Sequence, residues 1–217
     1  VKVVIKRIVT SFVLGFLFWF SFIVLPPCLF SGVLITILLQ IILFEWCNFF
    51  KTNQLAFWLL TPIYPVLPFI LLIVMNHIPL YRPLLLPLFV IVSSLDSGSY
   101  IIGNLIGNHK ICPQISPGKT WEGFFGGYLI ACTSLTFLLW EQKIFRPIEY
   151  IMGFVLIVCV LALCGDLFES YLKRRARIKD SGTMLPGHGG FLDRFDGILF
   201  VAVFFFICRN YLIVFLR

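Results

Sequence analysis

From Ile8 to Phe44 the chain runs 37 residues without a charged side chain. A helix crosses the roughly 30 Å of bilayer hydrocarbon in about 20 residues, so this stretch supplies two spans. Pro26-Pro27 in its middle supplies the turn between them. The composition of the whole chain agrees. Of 217 residues, 60% are hydrophobic and 12% charged, with a mean hydropathy of +1.01. Soluble domains run about 45–50% apolar and about 25% charged. This composition argues against a water-soluble globule and excludes intrinsic disorder.

The N-terminal Lys2, Lys6 and Arg7 imitate the start of a signal peptide. The apolar run to Leu25 is too long for that, and no A-x-A site follows. We read 8–25 as a first span and 28–46 as a second. The chain begins with Val, and we expect either a missing natural start or a non-AUG one. A third span, 55–75, carries Pro62, Pro65 and Pro68 and is expected to be kinked or broken. A fourth begins near Pro79; it stops at Asp96 or continues through 97–108 with Asp96 inside it. Residues 108–122, rich in Pro and Gly, read as a loop. Spans five (123–140), six (150–167) and seven (195–215) come next, with the densest charge between the last two. The predicted fold is all-α: a polytopic membrane bundle of about seven helices. Its N-terminal helices occupy 1–95 and its chemistry-bearing region 96–217.

The formal net charge is +7. With the N-terminus inside, 12 of the 17 Lys and Arg fall on inside segments, as cytoplasmic loops require. Both polar loops, 96–122 and 166–196, then face the cytoplasm. The aromatics lie in apolar runs and are not interleaved with basic residues, so nucleic-acid binding is not expected. Seven cysteines without a C-x-x-C pair give neither a disulfide framework nor a zinc site. There is no internal repeat.

Asp96, Asp166 and Glu169 lie at or beside apolar runs. An Asp at the bilayer centre costs about 2.5–3.5 kcal/mol on insertion scales. Any one alone would read as a helix-end residue snorkelling to the interface; together they read as chemistry. Asp166, Ser170 and Lys173 share one helical face. A basic run, Arg174 to Lys179, comes after them. It would suit anionic lipid, which does not explain the Asp and Ser on the face of Lys173. The segment LPGHGGFLDRFD (185–196) places glycines where backbone can approach a phosphate, with His188 among them. Asp193 and Asp196, with Arg194 between, join Asp166 as an all-oxygen set suited to Mg²⁺. Upstream, ISPGKTWEG (115–123) offers Ser116, Lys119, Thr120 and Glu122 around a Pro-Gly turn. It is no Walker A loop, but beside membrane carboxylates it suits a triphosphate.

The stretch SYLKRRARIKDSGTMLPGHGGFLDRFD (170–196) resembles the signature of the phosphatidate cytidylyltransferases: S-x-x-K-R, K-D, a small residue, P-x-H-G-G and D-R-x-D. Ser170, Lys173, Arg174, Lys179, Asp180, Gly182, Pro186, His188, Gly189, Gly190, Asp193, Arg194 and Asp196 fill its fixed positions. The resemblance covers about 96–200, and against the family the chain looks short at its N-terminus. It implies transfer of CMP from CTP to phosphatidate, giving CDP-diacylglycerol and pyrophosphate. It also implies Mg²⁺, a monovalent cation such as K⁺ beside it, a homodimer, and a polar cavity open to the cytoplasm from the inner (plasma) membrane. On that basis Asp166, Asp193 and Asp196 are expected to hold metal. Ser170, Lys173, Arg174, Lys179 and His188 complete the catalytic set. Asp96, Ser116, Lys119, Thr120, Glu122 and Arg194 are expected to meet substrate. A CDP-alcohol phosphotransferase lacks support, because D-G-x-x-A-R is absent. A polyprenol kinase would release CDP instead of pyrophosphate. A transporter would use Asp96 and Asp166 for ion coupling.

Overall fold

The computed structural model describes residues 15–50, 54–182, 184 and 189–216. Among these residues, eight helices and one small hairpin succeed one another along the chain. They are α1 (Gly15–Val24), α2 (Pro27–Phe49), α3 (Leu55–His77) and α4 (Arg82–Ile106), then β1 (Lys110–Cys112) and β2 (Ser116–Thr120). After them come α5 (Trp121–Glu141), α6 (Ile148–Arg175), α7 (Leu192–Ile207) and α8 (Arg209–Leu216). Helices α2 to α6 are each long and apolar enough to cross a membrane. Helix α7 reaches that length only together with α8, from which it is bent by 90°. The fold is the expected multi-pass helical bundle, with an apolar segment at each of the seven predicted positions. The beginning of span one lies outside the described residues.

Three local features depart from expectation. Helix α3 is not broken at its prolines. It widens into a π turn at Pro62–Val66, closed by the Leu67 N–H on the Pro62 carbonyl. The extra residue in that turn accommodates Pro65, which has no N–H to give the ladder. Residues 108–122 are not an irregular loop but carry the antiparallel β1–β2 hairpin. Short strands containing Pro and Gly give no period-2 signal, so the sequence hid them. The seventh span ends at Ile207 because Arg209 comes next but one. Its guanidinium folds back onto the Phe206 carbonyl at 2.7 Å and lies 4.4 Å from the Phe206 ring centroid. Helix α8 then runs crosswise. Helix α4, by contrast, continues through Asp96 to Ile106.

The core is aromatic and aliphatic. Phe22, Phe30, Phe69, Phe89 and Phe195 are buried and lie within a web of edge-to-face and tilted ring pairs. Helices α4 and α5 pack with their backbones close together. A Cβ added to Gly98 would lie 2.8 Å from the Gly127 Cα. Without a hydrophobic drive between helices in lipid, such close backbone packing supplies the attraction.

The bundle has two chemically different ends. At one, Arg82 donates to the Phe22 and Leu25 carbonyls, Arg146 to those of Val214 and Phe215, and Tyr81 to Asn210. These bonds tie helix ends and loops together. At the other end lie the hairpin, the C-terminus of α6 and the N-terminus of α7. Helix α6 has 28 residues, about 42 Å at 1.5 Å per residue. That exceeds the hydrocarbon thickness by roughly 12 Å, so the turns from Asp166 onward belong to that second end.

Candidate active site

The site is built where α6, α7 and the hairpin meet. Lys119 of β2 forms an ion pair with Asp166 of α6. Arg174, one turn beyond Ser170, donates through Nε to the Ile115 carbonyl at 3.1 Å. The hairpin is thus fastened to the signature helix at two points. Ser170 Oγ lies 3.3 Å from Asp166 Oδ1, one turn away.

Lys173 is the hub. Its Nζ lies 2.7 Å from Glu169 Oε2 and 2.7 Å from Asp193 Oδ1. Glu169 is fully buried, and its Oε1 has no partner among the described residues. The other oxygen of Asp193 accepts from the Gly190 N–H (2.8 Å), the Ser181 N–H (3.0 Å) and the Ser181 hydroxyl (3.0 Å). Gly189 has φ +80°, which only glycine adopts without strain. A Cβ there would strike the Asp193 carboxylate. The glycine pair therefore lets the loop close around that carboxylate.

Asp196 lies one turn further into α7. It is buried, accepts from the Gly197 N–H at 2.7 Å, and interacts electrostatically with Asp166, Glu169, Asp96 and Lys119. Asp96 of α4 interacts with Asp166, Lys119 and Arg194. Five carboxylates thus share one region with three cations, Lys119, Lys173 and Arg194.

The expected metal ligands are not gathered around one point. Among the described residues no three acidic, imidazole or thiol side chains form a ready-made metal cluster. Asp193 has both oxygens engaged, and Asp166 is paired with Lys119. Yet the donors are all oxygen, negative charge is in excess, and Glu169 Oε1 has no partner among the described residues. A hard cation that takes one or two carboxylates and completes its shell with water and phosphate fits this set.

The predicted substrate contacts divide. Lys119 and Asp96 join the site. Thr120 is instead the N-cap of α5, its hydroxyl accepting from the Gly123 N–H. Glu122 accepts from the backbone N–H groups of Asn108 and His109 and pairs with the His109 ring, holding the start of the hairpin. Ser116 pairs with Cys112 in the hairpin register. Lys179 is exposed, as is Arg194. His188, with Pro186 and Gly187, lies outside the described residues.

Sequence reasoning missed Glu45, Asn48 and Ser181. Glu45, at the end of the long charge-free stretch, is 1% exposed. It accepts from the Phe191 N–H (2.7 Å), the Leu192 N–H (2.8 Å) and the Ser181 hydroxyl (2.9 Å). Asn48 donates to the Ser181 carbonyl at 2.9 Å. The available signal was a lone acid inside an apolar run, IILFEWCNFF (41–50). The N-terminal helices therefore build part of the site.

Residues 51–212 match the model of the cytidylyltransferase family. The chain belongs to the cytidylyltransferase family. Among curated relatives of this cytidylyltransferase-family protein is the phosphatidate cytidylyltransferase of Bacillus subtilis (strain 168). It is 46% identical over 117 residues, which cover 54% of this chain and 44% of that one. The enzyme of the same name from Staphylococcus epidermidis (strain ATCC 12228 / FDA PCI 1200) is 46% identical over 115 residues, 52% of this chain and 44% of its own. That of Staphylococcus aureus (strain COL) is 43% identical over 113 residues, again 52% and 44%. The aligned part thus spans under half the length of these relatives.

Proposed function

We propose that this protein is a phosphatidate cytidylyltransferase. It transfers CMP from CTP to phosphatidate and releases CDP-diacylglycerol and pyrophosphate. The observation that carries the reading is the fastening of the Lys119 hairpin onto Asp166 of the signature helix. It brings a nucleotide-type loop to a carboxylate and lysine site at the membrane boundary. The activity for which the relatives are named supports the same reaction.

A phosphate oxygen of phosphatidate attacks the α-phosphorus of CTP in line. One P–O bond forms, the α–β P–O bond breaks, and pyrophosphate departs with its electron pair. No strong base is needed, because the nucleophile is already an anion. The obstacle is repulsion between two anions, which positioned cations relieve. Lys119 meets the triphosphate and gives up Asp166 as it does so. Lys173, held between Glu169 and Asp193, faces the phosphates with a fixed direction. Arg174 and Lys179 attract the anions at the rim, and Arg194 and Asp96 orient the nucleotide. Ser170 presents its hydroxyl to a phosphate oxygen. His188 is a signature residue, and on this reading it serves as proton donor, phosphate contact or loop strut. Asp166 and Asp196 would hold Mg²⁺, which would supply charge neutralisation for the triphosphate and the leaving group. Asp193 shapes the loop around that site. A monovalent cation such as K⁺ belongs to the same reading, and a homodimer is its assembly.

The site end faces the cytoplasm at the inner membrane, because it carries the larger share of Lys and Arg. Purified protein is mixed with phosphatidate and CTP labelled at the α-phosphate. Mg²⁺-dependent passage of label into the chloroform phase, with equimolar pyrophosphate, is the expected result. Label that stays in water with folded protein overturns the reading, and release of CDP in place of pyrophosphate moves it to a γ-phosphoryl transfer.

A further inference from the structure

Glu45 stands outside the signature, outside the matched family segment and outside the helices that carry the proposed reaction. It is nevertheless wired into them. Helix α2 contains a π turn at Ile41–Glu45, closed by the Trp46 N–H on the Ile41 carbonyl. A π turn inserts one residue and rotates the helix beyond it, and such turns concentrate at functional sites. Here Glu45, the last residue of the turn, is buried with its carboxylate against the loop before α7. Among the described residues its three bonds come from neutral donors: two backbone N–H groups and one hydroxyl.

Those donors are informative. The Phe191 and Leu192 N–H groups open α7, where a helix leaves its first N–H groups without partners. The Ser181 hydroxyl lies between Glu45 Oε2 (2.9 Å) and Asp193 Oδ2 (3.0 Å). From Asp193 the chain of bonds continues to Lys173 and then Glu169. The sequence Glu45, Ser181, Asp193, Lys173, Glu169 is one continuous polar path from α2 to the centre of the site. The glycine at 190 is required by the same contact, since a Cβ there would meet both the Ser181 hydroxyl and the Glu45 carboxylate.

We propose that Glu45 is a positioning residue for cytidylyl transfer: from α2 it fixes the first turn of α7 and the Ser181 hydroxyl, and through them the direction of Lys173. The inference rests on the reaction proposed above. Glu45 touches no substrate. Its loss lets Asp193 and Lys173 wander by a fraction of an ångström to an ångström, a displacement that costs on the order of 100-fold in rate.

Glu45→Gln is the test. The amide keeps one acceptor oxygen but turns N–H donors toward a backbone N–H that needs an acceptor. Three readings are taken on the full chain in detergent: kcat and KM for CTP, amide exchange over 189–193, and thermal melting. The expected result is a kcat lower by about 10- to 100-fold, faster exchange at Phe191 and Leu192, and an unchanged melting temperature. Glu45→Asp, which keeps the carboxylate, recovers part of kcat. Wild-type kcat in Glu45→Gln overturns the proposal, and so does a loss of activity that only accompanies a loss of melting temperature. If Glu45→Gln does not accumulate, Ser181→Ala removes the hydroxyl bridge alone, and wild-type kcat there overturns it equally. If the unmodified protein transfers no CMP to phosphatidate, the reaction falls and exchange judges the clamp. Unchanged exchange in Glu45→Gln then overturns the clamp as well.

Discussion

Asp193 shows how a residue's partners refine its role. Its type and its place in D-R-x-D suggest a metal ligand, whereas its bonds to Lys173, Ser181 and Gly190 make it the knot of the loop. Asp193→Asn keeps the size but leaves Lys173 with a single carboxylate. We expect CMP transfer to fall at least about 100-fold with the protein still folded in the membrane. Raising Mg²⁺ should restore nothing, because the lost function is positional. Asp196→Asn should behave differently, with part of the loss recovered as Mg²⁺ is titrated upward. Activity against Mg²⁺ concentration for the two variants checks the pair. Lys119→Ala removes one of the two ties between hairpin and α6, and KM for CTP should rise more than kcat falls. An unaltered KM would exclude Lys119 from nucleotide binding. At this scale the sequence exposed the signature residues through their types and spacing. It hid Glu45, because one acid near the end of an apolar run looks like any helix end. Its meaning lies in partners more than 130 positions away.

Helices were legible wherever charge-free runs exceeded the bilayer thickness, since hydropathy alone sets that signal. Their irregularities were not. The π turns at Ile41–Glu45 and Pro62–Val66 change no composition, and the 90° break before α8 arises at one arginine. The Ser116–Thr120 strand has the residues of a turn and is held by its neighbours. The capping of α5 by Thr120 offers a test at this level. Thr120→Ala should destabilise the protein by about 1 kcal/mol and lower its melting temperature, with KM for CTP near wild type. A large rise in KM without a change in melting would instead return Thr120 to the nucleotide. The α4–α5 contact is less forgiving. Gly127→Leu would push a side chain into the Leu95 carbonyl and Ser99, and overpacking of this kind costs about 1–3 kcal/mol. We expect loss of folded protein in detergent, read by size-exclusion profile.

As a whole, the molecule is asymmetric along the membrane normal. One end concentrates Lys110, Lys119, Lys173, Arg174, Arg175, Arg177, Lys179 and Arg194, and the other holds Arg82, Lys143, Arg146 and Arg209. The orientation implied by this bias is checked with single cysteines in a background without the native ones. In sealed right-side-out vesicles, a cysteine at position 114 should resist an impermeant thiol reagent, and one at position 143 should react. The reverse pattern would invert the topology and place the site on the wrong side for cytoplasmic CTP.

The arginines of the far end spend their donors on carbonyls of neighbouring helix ends and lie beneath a phenylalanine-filled middle. Such an arrangement is a floor. Among the described residues, Phe22, Phe30, Phe69, Phe89 and Phe195 fill the space between this floor and the carboxylates of the other end. On the reading proposed above, a lipid handled at the carboxylate end is separated from the opposite face of the bundle by that aromatic layer.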